Sequence, residues 1–320
     1  MLEIKLWQFV LSQLETGNPV MLLCVLESHG SSPGRRGFKM AVTQDRHLGS
    51  IGGGMMEHKF VDLAKERLLD EGNNILLKKQ VHSKSAKVNQ SGMICSGEQT
   101  IYLAPVKNED IDTIKLLINS LQRIQHGTLT LSPLGLQFSI LPISENFHFE
   151  MKSEEEWVYK ERTGFKNVLH IIGGGHCALA LSELMSKMDF HIHIYDDRYE
   201  LSTMMENNFV HDKKFVKDYS ELTDLISGGE NVYVVIMTFG YRSDNIALRA
   251  VINKDFKYIG VLGSQTKMEE LFKEWKSDGL SQKRLEKIHS PIGLPIKSQS
   301  PVEIAVSIAA EIIGVKNFNL

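Results

Sequence analysis

Residues 168–196 read VLHIIGGGHCALALSELMSKMDFHIHIYD. Val168, Leu169, Ile171 and Ile172 form a short apolar run, the pattern of a parallel strand buried on both faces. Gly173-Gly174-Gly175-His176-Cys177-Ala178 follows it and fits G-x-G-x-x-A, the small-residue form of the dinucleotide-binding fingerprint. The spacing gives each small residue its own task. Gly173 allows a tight turn, Gly175 lets backbone approach a pyrophosphate, and Ala178 lets the next helix lie close to the strand. The amino end of that helix offers N–H groups and a partial positive charge to an anion, and His176 in the glycine turn is placed for phosphate contact. A second strand, His191 to Tyr195, ends at Asp196, where an acid can accept from a ribose hydroxyl. Strand, turn, helix, strand and acid together predict a Rossmann-type unit.

Working outward, the C-terminal half repeats the pattern. Asn231–Thr238 (NVYVVIMT) and Tyr258–Leu262 (YIGVL) read as buried strands, the second ending at Gly263-Ser264. Ligands of open α/β sheets bind outside the carboxyl ends of the strands. Gly173, Asp196, Thr238, Asp244, Gly263 and Ser264 are therefore expected along one crevice. Arg198 introduces a group that suits a 2′-phosphate, which blurs the choice between NAD and NADP. Thr266 to Trp275 reads as a helix. Ser300-Pro301-Val302-Glu303 is a capping box opening the last helix. Ile304–Val315 is apolar nearly all round and predicts a buried helix. Glu311 lies inside that run and calls for a partner, because an isolated buried carboxylate is costly.

The N-terminal half reads as α+β. Leu6, Phe9, Val10 and Leu14 recur at helical spacing, with Glu3 and Lys5 inside the pattern, which argues for an amphipathic helix and against a signal peptide. Val20–Glu27 is a strong strand with Cys24 as core filling. Strands follow at 38–43 and 47–51. Gly49-Ser50-Ile51-Gly52-Gly53-Gly54 then leads into a helix from about Met55 to Leu69, so Gly52, Gly53 and Gly54 present backbone N–H groups at a second helix start. Positive φ in a tight turn is the alternative use of these glycines. The adjacent Arg35 could pair with an anion there. Lys78–Gln90 is polar and basic. Cys95 lies beside Ser96 and Gly97, where its thiol could bind a soft metal or act as a nucleophile. A strand follows at 100–104, a helix at 109–125, and two β runs flank Ser132-Pro133-Leu134-Gly135. The charged stretch around Glu154-Glu155-Glu156 has weak patterning. The expected division is an N-terminal α+β domain over 1–150, a linker over 151–166 and a Rossmann-type parallel-sheet domain over 167–320.

Hydrophobic residues make up 42% of the 320 and charged ones 23%, the balance of a globular chain with room for about two domains. A net charge of -3 recommends neither nucleic acid nor an anionic membrane as partner. No apolar run approaches the ~18–20 residues of a membrane helix. Cys24, Cys95 and Cys177 are too few and scattered for a disulfide framework or zinc site, so a reducing, cytoplasmic setting is expected.

In combination these stretches resemble the xanthine dehydrogenase accessory-factor family (XdhC/CoxI). Four blocks carry the likeness over nearly the whole chain: Gly30-Ser31-Ser32-Pro33 through Gly49–Gly54 and Glu57; the fingerprint with Asp196-Asp197-Arg198; Met237-Thr238 with Asp244, then Gly260–Ser264; and Ile288–Leu294 followed by Pro301, Glu303, Ile304, Ala305, Ser307, Ile308, Ala310 and Glu311. The resemblance implies a maturation factor. It would bind the molybdenum cofactor, a pterin with a phosphate and a dithiolene-held metal. It would assist the cofactor's sulfuration together with a sulfur donor, and hand it to a xanthine dehydrogenase-type molybdenum hydroxylase. It also implies a homodimer. The family's Cys-Gly-Gly motif falls on Cys95-Ser96-Gly97, which makes Cys95 the implied metal and cofactor ligand. The chain departs from the family pattern at Met55 (often Cys), Phe239 (His), Gln265 (Arg) and over Pro295-Ile296-Lys297. The fingerprint alone supports two other readings: an NAD(P)-dependent oxidoreductase, with His176 or His289 as acid/base, or a nucleotide-binding redox sensor.

Overall fold

The computed structural model describes residues 2–70, 74–81, 97–279 and 281–318. The chain divides into two compact units, Met1–Gly164 and Phe165–Leu320. No helix among the described residues is long and apolar enough to cross a membrane.

Unit 1 is built on two antiparallel sheets. Strands β1 (Val20–Gly30), β2 (Lys39–Val42), β3 (His47–Gly49), β4 (Leu76–Val81) and β5 (Gly97–Val106) form the first, in the order β3-β2-β1-β5-β4. Strands β6 (Gly127–Ser132), β7 (Gly135–Ser139), β8 (Phe147–Met151) and β9 (Trp157–Thr163) form the second, in the order β7-β6-β9-β8. The period-two alternation of β1 explains its unbroken apolar run. Val20, Leu22, Cys24 and Leu26 join a core with helices α1 (Leu2–Glu15) and α3 (Ile111–Gln122) and with the second sheet. Met21, Leu23 and Val25 face the other way, into a core with helix α2 (Gly54–Leu69). Both faces of the first sheet are covered, so neither is polar. The basic stretch beginning at Lys78 contributes the edge strand β4, where lysines suit an unpaired border.

The stretch 151–166 is not the linker its composition suggests. β9 pairs with both β6 and β8, and Trp157, Tyr159, Glu161 and Thr163 point inward along it. The misleading residue is Glu161. Its carboxylate is buried against the Lys39 ammonium at 2.5 Å and accepts from the Tyr159 hydroxyl at 2.9 Å. Lys39 also donates to the Gly37 carbonyl. Burial alone would lower the Lys39 pKa, but the Glu161 carboxylate beside it holds it above its ordinary value. A charge that looks solvated in the local sequence is neutralised by a partner far away in the chain.

Unit 2 is a six-stranded sheet with every pairing parallel: β10 (Asn167–Ile172), β11 (Phe190–Asp196), β12 (Asp212–Phe215), β13 (Gly229–Ile236), β14 (Phe256–Val261) and β15 (Ile288–His289), ordered β12-β11-β10-β13-β14-β15. This is the 3-2-1-4-5-6 order of the doubly wound dinucleotide fold, with its switch point between β10 and β13. Among its helices are α4 (His176–Met185), α5 (Ser202–Glu206), α6 (Leu222–Leu225), α7 (Tyr241–Val251), α8 (Gln265–Ser277), α9 (Gln282–Leu285) and α10 (Pro301–Phe318). Leu169, Ile171, Ile192 and Ile194 pack on α4 and α10, while Ile172, Val234 and Ile236 face α7 and α8. α10 is not buried all round: Ala305, Ile308, Ala309, Ile312 and Val315 face the core, but Val302, Val306 and Phe318 are exposed. Apolar composition overstated its burial because only one stripe meets the sheet and α4. Glu311 has its partners. It accepts from the Tyr258 hydroxyl at 2.5 Å and the Gly293 N–H at 2.9 Å, and lies 3.2 Å from His289 Nδ1. Gly293 is itself required: at φ 93°, a Cβ there would meet Ser307 Oγ at 2.1 Å.

The Lys39–Glu161 pair yields a stability prediction. Glu161→Ala strands a buried ammonium and should cost about 3–5 kcal/mol, whereas Lys39→Met combined with Glu161→Leu should recover most of that loss. Urea denaturation of the two single variants and the double variant measures the coupling; additive losses would rule it out.

Candidate functional site

The glycine turn sits where β10, β11 and β13 end together. Gly173 takes φ 106°, and its N–H donates to the Tyr195 carbonyl at 2.7 Å. A Cβ on it would lie 2.3 Å from the Met237 carbonyl oxygen, so no other residue fits. Gly174 is pinned from both sides: its N–H donates to Asp196 Oδ2 at 2.6 Å, and its carbonyl accepts from the Thr203 hydroxyl at 2.6 Å. Gly175 differs from both. It is the N-cap of α4, with extended backbone and no side-chain cap, and nothing lies within 4 Å of where its Cβ would be. His176 beside it is exposed, and Ala178 is fully buried in the core. Gly173 and Ala178 thus serve packing, and Gly175 alone faces open space at a helix start that attracts anions.

Asp196 does not stand ready for a ribose. It is fully buried, and both its oxygens are engaged. Oδ1 accepts from the backbone N–H of Arg198 at 2.8 Å and from its Nε at 2.9 Å. Oδ2 accepts from the Gly174 N–H and from Arg198 Nη2 at 2.7 Å. Burial would raise the carboxyl pKa, but the Arg198 and Gly174 hydrogen bonds together hold it below the usual value. Asp196 therefore braces the glycine turn in this structure, with both oxygens occupied at the position expected to meet a ribose hydroxyl. Arg198 also lies over the Phe239 ring, 5.5 Å from its centroid, and Phe239 is 87% exposed. Sequence reasoning missed this Asp–Arg–Phe stack. Its signal was the short Asp196-Asp197-Arg198 spacing, which permits a bidentate fork two residues on.

The neighbouring strand ends divide in the same way. Asp244, in the first turn of α7, accepts from the Thr238 hydroxyl at 2.5 Å and from its N–H at 3.0 Å, which closes the loop after β13. Gly263 is half-buried and Ser264 exposed, both between β14 and α8. Cys177, the second residue of α4, is half-buried, and burial pushes its thiol pKa up. His289 is held by Glu311 and packs on Tyr258 at 4.5 Å, on the strand farthest from β10 on that side. That position does not suit the acid/base role expected of it beside the glycine turn.

The N-terminal glycine mouth already contains an anion. Glu57 Oε2 accepts from the Ser50 hydroxyl at 2.6 Å, the Gly53 N–H at 2.9 Å and the Ile51 N–H at 3.0 Å. Burial would raise the Glu57 pKa, but these three donors lower it below the usual value. The Gly52 N–H donates to Ser50 Oγ, and a Cβ on Gly52 would lie 2.4 Å from the Gly34 nitrogen. The N–H groups of Gly52 and Gly53, expected as ligand donors, thus serve the turn in this structure; Gly54 carries on into α2 at φ 69°. Arg35 is exposed and donates to the Gly30 carbonyl, and Met55 is 63% exposed. Cys95 and Ser96 lie outside the described residues.

The braced carboxylate gives a pH prediction. A folded-state pKa below the unfolded value of about 3.9 stabilises fully above that pH, and the gain disappears as pH falls through the lower folded value. Asp196→Asn should therefore lose about 2 kcal/mol near neutral pH, with the gap to wild type closing below about pH 4. Urea midpoints from pH 3 to 7 test this; a gap independent of pH would refute it.

Two family models match the chain: one described as the XdhC Rossmann domain, over residues 169–312, and one as the XdhC and CoxI family, over residues 13–78. Among curated proteins, the uncharacterized protein YqeB of Escherichia coli (strain K12) is 22% identical over 314 residues, 96% of this chain and 45% of that protein. A protein of Bacillus subtilis (strain 168) named as a probable xanthine dehydrogenase subunit is 36% identical over 80 residues, 25% of this chain and 22% of that protein. The chain thus spans less than half the length of either relative. A crystal structure described as a xanthine dehydrogenase from Bacillus halodurans has the same fold, with a TM-score of 0.73 at 22% identity over 99% of this chain and 96% of that one. Between them the two family models match more than half of the residues, in both units. The chain belongs to the XdhC and CoxI family.

Proposed function

We propose that the protein is an accessory factor of a xanthine dehydrogenase-type enzyme, binding the molybdenum cofactor by its phosphate at the glycine turn of unit 2. In this reading it assists sulfuration with a sulfur donor and delivers the cofactor to the client. It acts as a homodimer in the cytoplasm. Family membership supports the accessory role, as does the name of the B. subtilis relative. The observation that carries the site is Gly175, with open space on its Cβ side at the uncapped start of α4. The N-terminal mouth competes poorly, because Glu57 fills it. The chain's own residues contribute the amino end of α4 to bind phosphate, with exposed His176 beside it. Gly263 and Ser264 belong to the same carboxyl edge of the sheet. When bound, the cofactor would supply the dithiolene-held metal and the site of sulfuration. A soft thiolate suits that metal, and Cys95 is the proposed ligand. Cys177 suits it less, because burial pushes its thiol pKa up and disfavours the thiolate.

A second reading rests on the Arg198–Phe239 pair. A guanidinium over an exposed ring at the end of β11 suits a 2′-phosphate and an adenine, which would favour NADPH over NADH. The occupied Asp196 weighs against NAD, because its carboxylate would have to leave Arg198 or Gly174 to reach a ribose.

Gly175 tolerates a side chain sterically, so Gly175→Val should fold and still block phosphate from α4. Calorimetry with molybdopterin, NADH and NADPH should show molybdopterin binding that Gly175→Val weakens at least tenfold and Cys95→Ala also weakens. Unchanged uptake by Gly175→Val would remove the site from unit 2. Binding of NADPH alone would replace the accessory reading with the nucleotide one.

A further inference from the structure

On β10, β11 and the edge strand β12, before their carboxyl ends, lies a group of side chains that none of the above employs. The register pairs His170 of β10 with His193 of β11, and His193 with Asp212 of β12, so the three stand in a row across neighbouring strands. His191 precedes His193 by two residues and shares its face. Asp212 Oδ2 lies 3.1 Å from His191 Nε2 and 3.2 Å from His193 Nδ1. The donor atoms of His191, His193 and Asp212 all fall within 4.8 Å of one another.

We propose that His191, His193 and Asp212 bind one divalent transition-metal ion of the zinc class. Ligands at about 2.0–2.1 Å from a tetrahedral ion stand about 3.3 Å apart. The two carboxylate-to-imidazole separations already have that length. Imidazole and carboxylate suit zinc, cobalt and nickel, whereas calcium and magnesium call for a shell of oxygens.

The rings are held in place before any ion arrives. Phe165 stacks on His191 at 5.5 Å and 12°, and His170 stacks on His193 at 4.8 Å and 15°. Nδ1 of His170 is tied to the Tyr195 hydroxyl at 3.0 Å. His211 packs edge-on to His191, and its Nδ1 accepts from the Ile192 N–H, which fixes that ring and keeps that nitrogen off the ion. Such supporting contacts orient ligands and raise affinity. Asp212 is 54% exposed on the edge strand, which leaves an entry path and a fourth position for water.

The site is independent of the proposed cofactor function, and its test needs no client enzyme. The untagged full-length chain is stripped with chelator and titrated with Co2+, followed by visible absorption, and with Zn2+, followed by calorimetry. The expected result is one equivalent bound at micromolar or tighter affinity, with the d–d bands of a tetrahedral site. Asp212→Asn should weaken Zn2+ binding tenfold or more, and His191→Gln with His193→Gln should abolish it. Substitution of the exposed His58 by Gln should leave it unchanged. Because Asp212 is half exposed, its variant keeps the test decisive even if the double-histidine variant fails to fold. Zn2+ binding weaker than millimolar, equal affinity in Asp212→Asn, or a thiolate-to-cobalt charge-transfer band would each overturn the assignment.

Discussion

Unit 2 depends on a contact in which no side chain takes part. The Cα of Gly173 is pressed against the Met237 carbonyl, while its N–H reaches the Tyr195 carbonyl. The ends of three parallel strands meet at this residue, and a single methyl group would force them apart. Parallel strands must be covered on both faces, so they cannot splay to accommodate it. The position of α4, and hence the opening beside Gly175, follows from that contact. The opening beside Gly175 exists because Gly173, two positions earlier, is fully committed to packing.

A second regularity unites the two units. Glycine-rich turns expose backbone N–H groups that need acceptors. Here the chain itself supplies them. Glu57 serves the turn before α2, Asp196 the turn before α4, Asp244 the loop before α7, and Glu311 the segment after β15. The turns before α2 and α4 both run three glycines together, yet Glu57 takes the Gly53 N–H at the first helix start, whereas Asp196 takes the Gly174 N–H and leaves Gly175 facing open space. Only where the donors face open space does the anion-binding chemistry of a helix start remain for a ligand.

How far the amino-acid string discloses this depends on the range of the interaction concerned. The strand–turn–helix of 168–185 is legible because its periodicity and its glycines act within a few residues. The carboxylate of Asp196 was visible too, but its role was not: the Arg198 fork is local, whereas the fully buried setting that makes it a brace comes from the whole sheet. β9 was hidden because its inward Glu161 is explained by Lys39, 122 residues away. The row of His170, His193 and Asp212 depends on strand register, which no single segment contains. The outward apolar stripe of α10 was lost for the opposite reason, since composition alone cannot say which side of a helix meets its neighbours.

The grip of Glu311 on Tyr258, His289 and Gly293 also ties the outer border of the sheet to the last helix. β15 is two residues long and pairs with β14 alone. It gains its anchor from a residue synthesised some twenty positions later. Without α10 in place, β14 would be left as the border of the sheet, with its short neighbour β15 unanchored. The last helix thus closes the sheet as well as covering it, because an unanchored edge strand leaves its neighbour's hydrogen-bonding groups open to other chains.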